Sequence, residues 1–141
     1  MDEPVKTVLD DGDIKYRLNG LLHREDGSAV EWAGGNKYWY LNNKLHRTDG
    51  PAVELASGTK EWWKDGILHR EDGPAEVYFD GSKCWYVDDK RHREDGPAIE
   101  NANGDKSWWV NDKQITKENC EEFRSKYPEL VKQLLAYEAD K

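Results

Sequence analysis

Four histidines, each followed by an arginine and, two residues after it, by an aspartate, are the residues in this chain best suited to chemistry. They open His23-Arg24-Glu25-Asp26, His46-Arg47-Thr48-Asp49, His69-Arg70-Glu71-Asp72 and His92-Arg93-Glu94-Asp95, and no other histidine is present. Imidazole beside carboxylate is the material of metal sites and of general acid–base pairs. A row of guanidinium groups is the material of a phosphate site. Spacing decides among these uses. Each histidine follows the previous one by 23 residues, and a residue recurring at a fixed period in a fixed string solves a recurring structural problem. Two-stranded sheet units advance by roughly 10 Å each, whereas metal ligands converge to ~2 Å from one ion. His23, His46, His69 and His92 are therefore expected to be structural, stacked on the aromatic residue opposite and bonded to backbone. Neither a metal nor a cofactor is expected.

Arg24, Arg47, Arg70 and Arg93 each precede an aspartate by two residues (Asp26, Asp49, Asp72 and Asp95), and the acidic Glu31, Glu54 and Glu100 fall on the neighbouring strands. Carboxylates so placed make each arginine a pin for the Gly-Pro step that follows, in preference to a phosphate ligand. No Gly-rich phosphate loop leads into a helix, and no serine or cysteine stands in a nucleophile setting. Cys84 falls in a strand beside Trp85 as a packing residue. The chain is not expected to be an enzyme.

The elements that must hold these residues follow from the period. Five units occupy residues 5–27, 28–50, 51–73, 74–96 and 97–119, and the eighth position of each is glycine: Gly12, Gly35, Gly58, Gly81 and Gly104. Asp, Gly, Ser or Asn before that glycine reads as a two-residue hairpin turn. A second turn lies at positions 15–16, as in Asn42-Asn43 and Asp65-Gly66. Each unit thus holds strands near positions 2–6, 9–14 and 17–20. The Asp-Gly-Pro step is read as a kink in one continuing strand, because a reversal there would turn alternate units upside down. With two-residue turns, position 3 opposes 12 and position 2 opposes 13.

On that register one face carries the valines, Tyr16, Trp39, Trp62, Trp85, Trp108 and the histidines, and this near-uniform tryptophan row is expected to be the inner one. The other carries small alanines opposite Tyr40, Trp63, Tyr86 and Trp109. The fourth unit swaps the apolar and acidic positions in Pro74-Ala75-Glu76-Val77-Tyr78-Phe79, through a bulge or a different neighbour, and so turns Val77 and Phe79 to the face of Tyr86. The fifth unit loses the motif. There Thr116 is read as an N-cap, Cys120 to Tyr127 as helix, and Pro128 as the start of a second helix with an apolar stripe of Leu130, Val131, Leu134, Leu135 and Tyr137. This tail either caps the open sheet edge or serves as a dimerisation or partner-binding helix. The expected fold is all-β: a single-layer antiparallel repeat sheet of five 23-residue units over residues 1–115, with a short C-terminal helical cap over residues 116–141.

Composition narrows the function. A net charge of −8 disfavours nucleic acid polymers and anionic membranes as partners. Seven Trp and seven Tyr supply burial that offsets the 35% of charged residues, so the chain is not expected to be disordered. Two cysteines without metal-like spacing, and a start that does not read as a signal peptide, point to a cytoplasmic protein.

The 23-residue units, their turn glycines and the string His-Arg-x-Asp-Gly-Pro-Ala after Trp-Tyr-x-Asn-Gly-like segments resemble the variant MORN repeat of proteins in tailed phages and large DNA viruses. The resemblance covers residues 5–114. It implies a single-layer β-repeat sheet acting as an interaction scaffold, such as a phage protein that engages a host defence component. The expected partner is a protein, met by Tyr40, Trp63, Tyr86 and Trp109 with Val77 and Phe79. The rival expectation is sequestration of a nucleotide-like or sugar ligand by aromatic and arginine rows.

Overall fold

The computed structural model describes residues 2–141. These residues are mostly β, with one α-helix among them, α1, at Pro128–Ala139. Antiparallel hairpins such as Val30–Glu31 with Lys37–Tyr38 and Val53–Glu54 with Lys60–Glu61 pair side by side into a 12-stranded sheet. Two strands are added per unit, and every unit points the same way.

The first turn differs from expectation by one residue. Val30 pairs with Tyr38 and Val53 with Glu61, so position 3 opposes 11 and not 12. The cause is a three-residue loop: Leu55 N–H donates to Thr59 O at 2.9 Å and Gly58 N–H donates to Leu55 O at 2.9 Å. The glycine is the last loop residue, at φ +102°, which is the type I turn followed by a left-handed residue that three-residue hairpins favour. The second turn does have two residues. Tyr40 pairs with Leu45, and both Asn42 (φ 49°) and Asn43 (φ 67°) are left-handed, as a type I′ turn requires.

The long middle strand is continuous only in the end units, at Ile14–Leu18 and Lys106–Val110. In the inner units it breaks at the tryptophan. Trp39 N–H donates to Ala52 O, while Trp39 O accepts from His46 N–H. Residues 47–51 therefore loop out opposite a single residue. Lys44–Leu45 and Val53–Glu54 both run antiparallel to the Lys37–Leu41 segment, so the chain keeps its direction through the motif, which is the kink that was expected.

Side chains alternate across the sheet, so the shifted register reassigns the faces. Position 3 shares a face with 11 and 13, and the tryptophans of position 12 lie on the other. Trp63 Nε1 donates to Glu61 Oε1 at 2.9 Å and Trp109 Nε1 to Ser107 Oγ at 2.8 Å, confirming that 11 and 13 face together. Glu76 pairs with Cys84 and Glu61. Val77 consequently points away from Tyr86, contrary to expectation, and Phe79 is not on that face either but in the turn at the hairpin tip, 74% exposed. Neither aromatic row is the inner one along the sheet: Trp39, Trp62 and Trp85 are partly buried, and so are Tyr40, Trp63 and Tyr86. Ala29, Ala52, Ala75 and Ala98 are fully buried.

The main apolar cluster lies at the C-terminal end, where Leu130, Val131 and Leu134 of α1 pack with Trp108, Val110, Ile115 and Cys120. The apolar stripe of α1 is thus spent on its own sheet. Cys120 to Tyr127 is not a helix as expected, but a 3-10 turn at Cys120–Glu122 followed by further turns. Thr116 and Asn119 bond reciprocally, Thr116 N–H to Asn119 Oδ1 at 2.7 Å and Asn119 N–H to Thr116 Oγ1 at 3.3 Å, closing a loop in place of capping a helix.

Candidate functional site

The motif builds one device four times. Arg70 Nε donates to Asp72 at 3.0 Å and Nη1 to Pro74 O at 3.0 Å, while its guanidinium lies 3.9 Å above the Trp62 ring. Arg24 on Tyr16, Arg47 on Trp39 and Arg93 on Trp85 repeat this, with Asp26, Asp49 and Asp95 accepting from Nε. Arg24, Arg47 and Arg93 also approach Glu31, Glu54 and Glu100 at 3.5–3.7 Å. Arg70 has no such neighbour, since Val77 stands there. Arg47 holds the Asp49 carboxyl below its ordinary range by hydrogen bond and charge. Each arginine thus fills the inside of its own loop-out, over an aromatic floor.

The histidines stitch one unit to the next. Nδ1 of His23, His46, His69 and His92 accepts the backbone N–H of Asn42, Asp65, Asp88 and Asn111 at 3.0–3.1 Å. Those donors open the second turn of the following unit. The other turn is stitched by position 9, which sequence reasoning passed over. Asp13, Asn36, Thr59 and Ser82 accept the N–H of Ala33, Ala56, Phe79 and Ala102. The signal was present: all four carry a side-chain oxygen straight after the turn glycine.

The opposite face carries Tyr40, Trp63, Tyr86 and Trp109 in a row. Around Tyr86 the swapped fourth unit places Glu76, Tyr78 and Cys84. Burial, with the Glu76 charge, pushes the Cys84 thiol up to about 11. At neutral pH it is a protonated packing group, not a nucleophile. Burial also raises the Glu76 carboxyl, and the facing Glu61 adds to this, against a hydrogen bond from Tyr78. A carboxyl raised in the folded state binds its proton more tightly there than in the unfolded chain, where the value is near 4.5. Its stabilising contribution is present below that value and is lost as pH rises through the folded one. Glu76→Gln is therefore expected to be more stable than wild type at about pH 7 and equal to it near pH 4. Urea melts at both pH values check this; equal stability at neutral pH would refute it.

Among the described residues no group of three or more His, Cys, Asp or Glu side chains converges as metal ligands would. No helix among them is long and apolar enough to cross a membrane. No family model and no curated protein matches the chain.

Proposed function

We propose that this chain is a non-enzymatic, MORN-like repeat scaffold that binds a partner protein, as a phage-type inhibitor of a host defence component would in the cytoplasm. The observation that carries this reading is the row of partly exposed rings at Tyr40, Trp63, Tyr86 and Trp109 on a sheet held by four clamps. A rigid platform with aromatic anchors loses little entropy on association. The indole N–H groups of Trp63 and Trp109 are satisfied within their own strands, so the rings offer apolar contact without an unmet donor. The rival reading, a nucleotide-like or sugar ligand, draws support from the rings alone, because every motif guanidinium is engaged by its aspartate.

Changing Trp63 and Tyr86 together to Ser is expected to lower the melting temperature by only a few degrees, since both are partly exposed. The same variant should lose whatever protein the wild type retains from a host lysate. Native mass spectrometry of the purified wild type distinguishes the rival: a co-purifying small molecule lost from the same variant would replace the scaffold reading.

A further inference from the structure

We propose that the grooves between successive motif loops bind an extended, arginine- or lysine-bearing segment of a protein, lying across the units on the face opposite Tyr86. This surface is independent of the aromatic row. One groove, of about 770 Å³, runs between Arg70–Gly73 and His92–Asp95 with Trp85 and Val87 as its floor. A second, of about 570 Å³, runs between Arg24–Gly27 and His46–Asp49 over Trp39 and Leu41, with Thr48 in the place of Glu94. Arg93 and Arg47 already stack on Trp85 and Trp39, so Val87 and Leu41 are the parts of these floors that suit the methylene stem of a long basic side chain.

The walls select the charge. Glu71 and Asp72 are 82% and 88% exposed, and Glu94 and Asp95 are 67% and 85% exposed. The arginines beneath them are only 21–24% exposed and already bonded inward. What meets solvent is therefore carboxylate, and no lysine lines either groove. Glu71 is hydrogen-bonded to His69 Nε2 at 3.3 Å and Glu94 lies 3.8 Å from His92 Nε2, yet both side chains are mostly exposed and present carboxylate oxygens to an incoming cation. The net charge of −8 draws a basic segment toward the sheet from a distance.

The repeat sets the spacing. Units advance by roughly 10 Å and an extended peptide by ~3.3 Å per residue, so basic residues about three apart keep step with the units. The third unit carries Lys64 where the groove floors carry Leu41 and Val87, which places an ammonium at the equivalent position. The two grooves accordingly lie two units apart, matching basic residues about six apart.

The probe is a labelled peptide of four Arg-Gly-Ser triplets, with fluorescence anisotropy as the readout. Wild type should bind it, with affinity falling as salt rises. Glu71→Gln with Glu94→Gln should weaken binding by about tenfold or more. Val87→Lys, which copies Lys64, should weaken it similarly. A charge-matched control, Glu3→Gln with Glu118→Gln, should change it by less than about twofold. A peptide with the same composition but contiguous arginines should bind less tightly. No binding by wild type, or equal loss in the control and groove variants, would overturn the proposal. Should Val87→Lys fail to fold, the exposed Glu71/Glu94 pair still decides.

Discussion

Replacing Gly73 by alanine is expected to destabilise the protein by about 2 kcal/mol, through loss of the arginine clamp and not through backbone strain. Glycine after aspartate usually marks a left-handed turn residue, but Gly73 has no positive φ. Its hydrogen is needed because a Cβ there would stand 2.9 Å from Arg70 Cζ and 3.1 Å from Nε. Gly27, Gly50 and Gly96 meet Arg24, Arg47 and Arg93 at 2.8–3.0 Å in the same way. The guanidinium is flexible, so it moves out of the way. In moving it gives up Asp72, the Pro74 carbonyl and the Trp62 face. The Asp72 pair is exposed and contributes little after solvent screening. The bond to the Pro74 carbonyl and the stack on Trp62 make up most of the loss. The cost of Gly73→Ala is then bounded by that of Arg70→Ala, and the double variant should be no worse than Arg70→Ala alone. Thermal melts of the three variants, read at about 4 °C per kcal/mol, test this. Additive losses would show that the glycine has a separate role.

That glycine marks the boundary of what the sequence reveals. The 23-residue period, the hairpins, the kink and the pairing of each arginine with the aspartate two residues on could all be read from residue types and spacing. The reason for the motif glycine could not, because a turn and a close approach call for the same residue. The one-residue register error had a similar source. Ser57-Gly58 reads equally as a two-residue turn or as the end of a three-residue loop, and only the Leu55–Thr59 bond distinguishes them. A one-residue slip moves a strand's side chains to the other face, which takes Val77 off the face of Tyr86. The choice between inner and outer faces was illegible for another reason. In the second to fifth units both faces carry rings, at Trp39 and Tyr40, Trp62 and Trp63, Trp85 and Tyr86, and Trp108 and Trp109, so apolar patterning does not separate core from surface. Thr116 has the residue type of an N-cap, which is why Cys120 to Tyr127 reads as helix from the sequence. The reciprocal Thr116–Asn119 bonds hold the entry to that stretch as a tight loop instead.

Leu130→Ala is expected to cost about 3 kcal/mol, and to loosen one identifiable end of the sheet. The fifth unit has Ile115 where the others have histidine and Thr116 where they have arginine, so Trp108 has no clamp of its own. Helix α1 supplies the substitute. Gln133 Oε1 accepts from Trp108 Nε1 at 3.0 Å, the Tyr137 ring lies 5.3 Å from the indole, and Trp108 is 2% exposed. The helix also stands in for a sixth unit, since Lys106 N–H donates to Tyr137 Oη at 3.1 Å. Leu130 and Val131 are completely buried at the centre of this contact, and truncating a buried leucine removes both transfer energy and packing. The loss should appear as a melting temperature lower by roughly 10 °C. It should also be local. Amide exchange at Lys106 is expected to quicken, while the amides of Lys37, Lys60 and Lys83, at the same position in complete units, keep their protection. With its edge uncovered, the variant should self-associate at high concentration, as open strand edges do. Unchanged exchange at Lys106 in a destabilised variant would mean that α1 stabilises the chain without guarding the edge.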